Sequence, residues 1–91
     1  MASVRIPPVL RQYTGGARDV SVEGTTVGVA LNRLADQYPS LKSHLFEDGN
    51  LQRYVNVYVN NQDVGYLDGL DTPLRENDTV IILPAMAGGS G

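Results

Sequence analysis

Twice along this chain the spacing of apolar residues changes, from every second position to every third or fourth and back again. Ser3-Val4-Arg5-Ile6 and Asp19-Val20-Ser21-Val22-Glu23 alternate polar with apolar residues, the pattern of half-buried strands. Pro7 and Pro8 limit ladder bonding after the first of them, because proline donates no N–H. Thr14-Gly15-Gly16 is a turn signal, so a hairpin is the expected opening unit. From Val27 the period becomes helical: Val27, Ala30, Leu31, Leu34 and Tyr38 form one stripe, with Asn32, Arg33, Asp36 and Gln37 off it. Thr25 or Thr26 can cap the first turn, and Pro39 stops the helix.

Alternation then returns. Leu41, Leu45 and Phe46 suggest a further helical turn under the sheet, followed by a strand from Tyr54 to Asn60 with Val55, Val57 and Val59 on one face. Asn60-Asn61 suits a two-residue hairpin turn, since asparagine tolerates positive φ. Gln62-Asp63-Val64 begins a short return strand, and Gly69–Leu74 reads as a loop with a turn of 3₁₀ helix. The last strand, Thr79-Val80-Ile81-Ile82-Leu83, is apolar on both faces, which suits an interior position. The order β-β-α-β-β-β predicts an α+β fold: a mixed sheet of four to five strands with one main crossing helix.

Composition removes most chemistries. Ninety-one residues make one domain. Cysteine is absent, which excludes disulfides, thiol catalysis, iron–sulfur clusters and cysteine-based zinc sites. Ten acidic residues against seven basic give a net charge of −3, with the arginines scattered and Lys42 the single lysine, so a nucleic-acid partner is not expected. No apolar run approaches the ~20 residues of a membrane span, and Met1–Leu10 lacks the apolar core of a secretory signal, so the expected location is cytoplasmic with no membrane partner.

No enzyme constellation emerges, and no catalytic residue or metal site is expected. His44 is the sole histidine, and its place beside Lys42 and Glu47 on an amphipathic turn is that of a surface residue. Glu47-Asp48 and the Asp68/Asp71 pair read as solvated loops, and neither matches a calcium-loop spacing. Gly15-Gly16 lacks the lysine and following helix of a phosphate loop. One feature stands apart. After a strongly apolar strand the chain runs through small residues to Gly88-Gly89, and Ala85 to Gly89 can extend about 16 Å into another protein's site. A frayed terminus is the plain alternative.

Taken together the chain resembles the ubiquitin-like sulfur carriers of the MoaD/ThiS type. The residues that carry the likeness are Thr26-Val27-Gly28, Val55-Asn56-Val57-Tyr58-Val59-Asn60, the run Gly69 to Asp78, and the ending Val80-Ile81-Ile82-Leu83-Pro84-Ala85-Met86-Ala87-Gly88-Gly89. The insert around Leu41–Arg53 and the Leu83-Pro84-Ala85 step look most like the CysO-like carriers of the family. The resemblance implies a β-grasp domain over residues 1–85 and a flexible Gly-Gly tail over 86–91. It implies that Gly89 bears the reacting carboxyl, with Gly88 and Ala87 giving clearance in a narrow channel. An ubiquitin-activating-type adenylyltransferase would spend ATP on that carboxyl, sulfur would replace AMP to give a thiocarboxylate, and a sulfur-accepting synthase would consume it in cysteine, molybdopterin, thiamin or secondary-metabolite synthesis. The carrier itself would bind no cofactor.

Ser90 and Gly91 follow Gly89, a departure from the mature pattern. The resemblance makes the Gly89–Ser90 bond a processing site for a JAMM-type zinc protease; an appended remnant is the other reading. It also places Val80 and Ile82 under the helix and Ile81 and Leu83 on the open sheet face, as a partner-docking patch. Coverage of that patch by Tyr54 or Tyr58, or a dimer, is the alternative. Two other functions remain open: a protein modifier forming isopeptide bonds through Gly89, and a non-covalent β-grasp binding module.

Overall fold

The computed structural model describes residues 1–52 and 55–84. Its strands and helices are β1 (Ala2–Arg5), β2 (Asp19–Val22), α1 (Val27–Gln37), α2 (Pro39–Leu45), β3 (Phe46–Glu47), β4 (Asn50–Leu51), β5 (Val55–Val59), β6 (Gln62–Asp63) and β7 (Thr79–Pro84). Five of the strands form a sheet in the order β2-β1-β7-β5-β6, in which β1 and β7 run parallel and every other neighbour antiparallel. This is the mixed, helix-crossed sheet that the alternation predicts, with the last strand at its centre.

Register explains why the core closes. Val20, Val4, Val80 and Val59 stand directly opposite one another across four strands, and all are buried. α1 lays Val27, Ala30, Leu31 and Leu34 into the same cluster, joined by Ile82 and Val57 and by Leu41 and Leu45 of α2. β-Branched side chains fill a pleated surface well, and each buried valine or leucine contributes roughly 1.5–3 kcal/mol of transfer free energy. Thr26 is the cap of α1, its Oγ1 accepting the Val29 N–H at 3.2 Å. Gly24 just before it has no room for a side chain, because a Cβ there would lie 2.8 Å from the Ala30 backbone nitrogen.

The connections differ from the sequence reading in four places. The first hairpin is not a simple Gly-rich reversal: Pro8–Tyr13 forms a 3₁₀ helix, tied down by the Arg11 Nε–H donating to the Ile6 carbonyl at 3.0 Å. Pro39 not only follows the end of α1 but opens α2, a full seven residues where a single turn was expected. Glu47 and Asp48 are solvent-exposed as expected but part of a small β3–β4 hairpin, Glu47 in β3 and Asp48-Gly49 at its bend with φ of 54° and 82°. Val64 does not extend the return strand but starts a 3₁₀ turn capped by Asp63, whose Oδ1 accepts the Gly65 N–H at 2.7 Å. No helix among the described residues is long and apolar enough to cross a membrane.

Asn60 and Asn61 both have positive φ, 48° and 75°, the backbone a tight primed turn requires. Asn60 also clamps the start of β7. Its backbone N–H donates to the Thr79 carbonyl at 3.0 Å, its Oδ1 accepts the Thr79 N–H at 3.1 Å, and its Nδ2 donates to Asp78 Oδ1 at 2.8 Å. The other Asp78 oxygen accepts the Arg75 N–H at 2.9 Å. That backbone bond, then the Asn60 bond and the nearby Arg75 charge, hold the Asp78 carboxyl below its usual 3.8. A carboxylate lowered on folding stabilises the fold fully above about pH 4, and that contribution disappears as pH falls through the lowered value. Denaturation midpoints of the wild type should therefore fall more steeply into the acid range than those of Asp78→Asn; parallel curves would contradict this role.

Candidate functional site: the terminal strand and the open sheet face

β7 carries the chain's end and is held on both sides. β1 pairs with Thr79, Val80 and Ile81, while β5 pairs along the strand from Val80 opposite Val59 to Pro84 opposite Val55. Alternation sorts its side chains: Val80 and Ile82 are buried beneath α1, Ile81 is half-buried and Leu83 is 47% exposed on the opposite face. Tyr58, half-buried, lies directly opposite Ile81 in the ladder. Tyr54, the other side chain expected near this patch, lies outside the described residues, as do Ala85 to Gly91, including Ala87, Gly88, Gly89 and Ser90.

The outward residues line up across the whole sheet. Asp19, Arg5, Ile81, Tyr58 and Asp63 stand each opposite the next, one from every strand. The centre of this row is apolar and its ends are charged, and Leu83 extends the apolar part toward the chain's end. Adjoining aliphatic side chains at the surface of a small domain make this face a candidate contact surface. Sequence alone puts Ile81 and Leu83 on a common face but says nothing of Arg5, which joins them only through the parallel register of β1 and β7.

The other candidates stay apart from this face. His44, read as a surface residue, is half-buried and stacks on Tyr13, with ring centroids 4.2 Å apart and planes 27° apart. It links α2 to the 3₁₀ helix, on the helical side of the sheet. Gly15 and Gly16 have φ of 65° and 89° and make a reversal, aided by Thr14 Oγ1, which lies 3.2 Å and 3.0 Å from the Arg11 and Ala17 carbonyls. Asp68 precedes and Asp71 closes the 3₁₀ turn Gly69–Asp71, and the following Thr72 hydroxyl donates to the Gly69 carbonyl at 2.7 Å. Among the described residues no three metal-binding side chains converge.

Known proteins share this arrangement. The model described as the ThiS family matches residues 4–89. The sulfur carrier protein CysO of Mycobacterium tuberculosis is 42% identical over 90 residues, covering 96% of this chain and 97% of that protein. The crystal structure of the Amycolatopsis orientalis BexX/CysO complex contains a chain similar to this one, with a TM-score of 0.91 and 38% identity over 98% of this chain and 100% of that one. The small archaeal modifier protein 1 of Methanosarcina acetivorans follows at a TM-score of 0.87 and 32% identity, covering 97% and 95%. The fold is the ubiquitin-like β-grasp.

The two faces of β7 differ in what truncation costs. Ile82→Ala should destabilise the protein by about 2–5 kcal/mol, and Leu83→Ala by no more than about 0.5 kcal/mol. Urea denaturation checks this, and equal losses would refute the assignment of faces.

Proposed function

Because the chain belongs to the ThiS family, we propose that it is a sulfur carrier, not an enzyme, whose C-terminal Gly88-Gly89 is charged by another protein. The observation that carries this reading is the position of β7. The strand leading into the Gly-Gly tail is the central one of the sheet, paired on both sides, so the body is a firm handle for a terminus that must enter a partner's site. The named relatives support it, since the similar proteins include sulfur carriers.

The chemistry balances as follows. At neutral pH the α-carboxyl is ionised, with a pKa near ~3.5, and is a poor electrophile. Its oxygen attacks the α-phosphorus of ATP on an ubiquitin-activating-type adenylyltransferase, forming the acyl-adenylate and releasing pyrophosphate. A sulfide donor then attacks the acyl carbon and AMP leaves, giving the thiocarboxylate that a sulfur-accepting synthase consumes. ATP is used by the partner and the carrier needs no cofactor of its own. The carboxyl must belong to Gly89, so removal of Ser90-Gly91 precedes the reaction, and a JAMM-type protease is the class of enzyme that fits. Ile81 and Leu83 serve as the docking patch for the activating partner, and the work is cytoplasmic. The likeness to a small archaeal modifier favours one second reading, in which the same acyl group meets a lysine amine instead of sulfide.

Intact-mass measurement decides between them. The protein ending at Gly89, incubated with the activating enzyme of its own organism, ATP and a sulfide source, should gain the mass of one sulfur-for-oxygen exchange. An isopeptide ladder on target proteins without that gain would favour the modifier reading, and an unchanged mass with no ladder would reject both. The Ile81→Asp and Leu83→Asp variants should lower kcat/KM for ATP–pyrophosphate exchange by about tenfold or more while remaining folded. Unaltered exchange in both would dispose of the docking patch.

A further inference from the structure

Arg5 occupies an unusual position on the open sheet face. It stands directly opposite Ile81 on one side and Asp19 on the other, and among the outward residues of the five described strands it is the one cation. Its hold on Asp19 is slight. A single contact joins Nε to Oδ1 at 3.4 Å, and the two side chains are 58% and 50% exposed. Exposed pairs of this kind contribute little to stability, so exchanging one carboxylate for another costs little. At the far end of the row Asp63 is already engaged, accepting the Gly65 N–H at 2.7 Å.

Arg5 is the charged side chain directly beside Ile81 in the row. A partner that covers Ile81 and Leu83 with apolar side chains strips water from the adjacent guanidinium. That group has five N–H donors, and only Nε–H has a protein acceptor among the described residues. Donors buried without acceptors weaken binding, and a charged group weakens it most. The planar fork matches a carboxylate with two parallel hydrogen bonds, which no neutral acceptor reproduces as well.

We propose that Arg5 selects the activating partner by taking a carboxylate from it, releasing Asp19 in exchange, next to the apolar seat of Ile81, Tyr58 and Leu83. The surface thus fits a partner that presents an aspartate or glutamate beside a protruding apolar side chain. This rests on the reading of the Ile81/Leu83 face as the docking patch. Asp19 acts as a stand-in ligand that keeps the guanidinium paired while the carrier is free.

The test is ATP–pyrophosphate exchange by the activating enzyme of the same organism, measured with the Gly89-ending protein at low and high salt. Arg5→Gln should lower kcat/KM by about tenfold and flatten its salt dependence, and Arg5→Lys, which keeps the charge but loses the fork, should fall between. Asp19→Asn frees Arg5 from its competitor and should leave kcat/KM equal or raise it up to about threefold. Unchanged kinetics in Arg5→Gln would overturn the proposal. A loss in Asp19→Asn as large as that in Arg5→Gln would overturn it too, since it would mean a partner cation is meeting Asp19. Ile81→Asp in the same assay separates the two levels: its indifference removes the docking face altogether, whereas its sensitivity with an indifferent Arg5→Gln removes only the role of Arg5.

Discussion

The parallel pairing of the first strand with the last is the constraint on which this molecule depends. Through it, Val4 and Val80 meet at the middle of the sheet, between Val20 and Val59, and the amphipathic stripe of α1 has a surface to cover. Parallel neighbours need a long crossover, which everything between β1 and β7 supplies. The same pairing brings Arg5 beside Ile81, so the core and the open outward face are two sides of one register. A slip by one residue would exchange the buried and exposed sets and remove both.

Much of this was legible because period-two and 3.6-residue patterns report burial directly. The stripe from Val27 to Leu34 and the alternation in β5 each correspond to one buried face, and the positive φ values of Asn60 and Asn61 follow from the chemistry of asparagine. Other parts were hidden for physical reasons. The β3–β4 hairpin has its signal in Asp48-Gly49, a dipeptide suited to tight turns, but its strands are two residues each, too short to show alternation. The 3₁₀ helix Pro8–Tyr13 buries only Leu10 and so leaves no periodic trace. In β7 both faces are apolar, and alternation pairs Val80 with Ile82 without saying which pair is inside. Arg5 was invisible as a site residue, because a lone charge on a strand reads as solvated until its neighbours across the sheet are known.

The site is unusual in how little chemistry it contains. On the proposed function, the acyl group is activated by charge neutralisation and a good leaving group, both of which would come with ATP on the partner's side. That reading leaves the carrier to be recognised and to project a backbone narrow enough to enter a catalytic channel, which glycine does best for want of a Cβ. The lone histidine and two of the acidic residues serve the fold: His44 stacks on Tyr13, and Asp63 and Asp78 accept backbone N–H groups at turns.

That division of labour has a direct consequence for a protein shortened by its last four residues. Such a body keeps the whole sheet and its outward face while lacking the reacting group. Added to the activating enzyme together with the carrier ending at Gly89, it should inhibit ATP–pyrophosphate exchange competitively and support none by itself. Exchange sustained by the shortened protein alone, or a failure to compete with the intact one, would contradict the assignment of grip to the body and reactivity to the terminus.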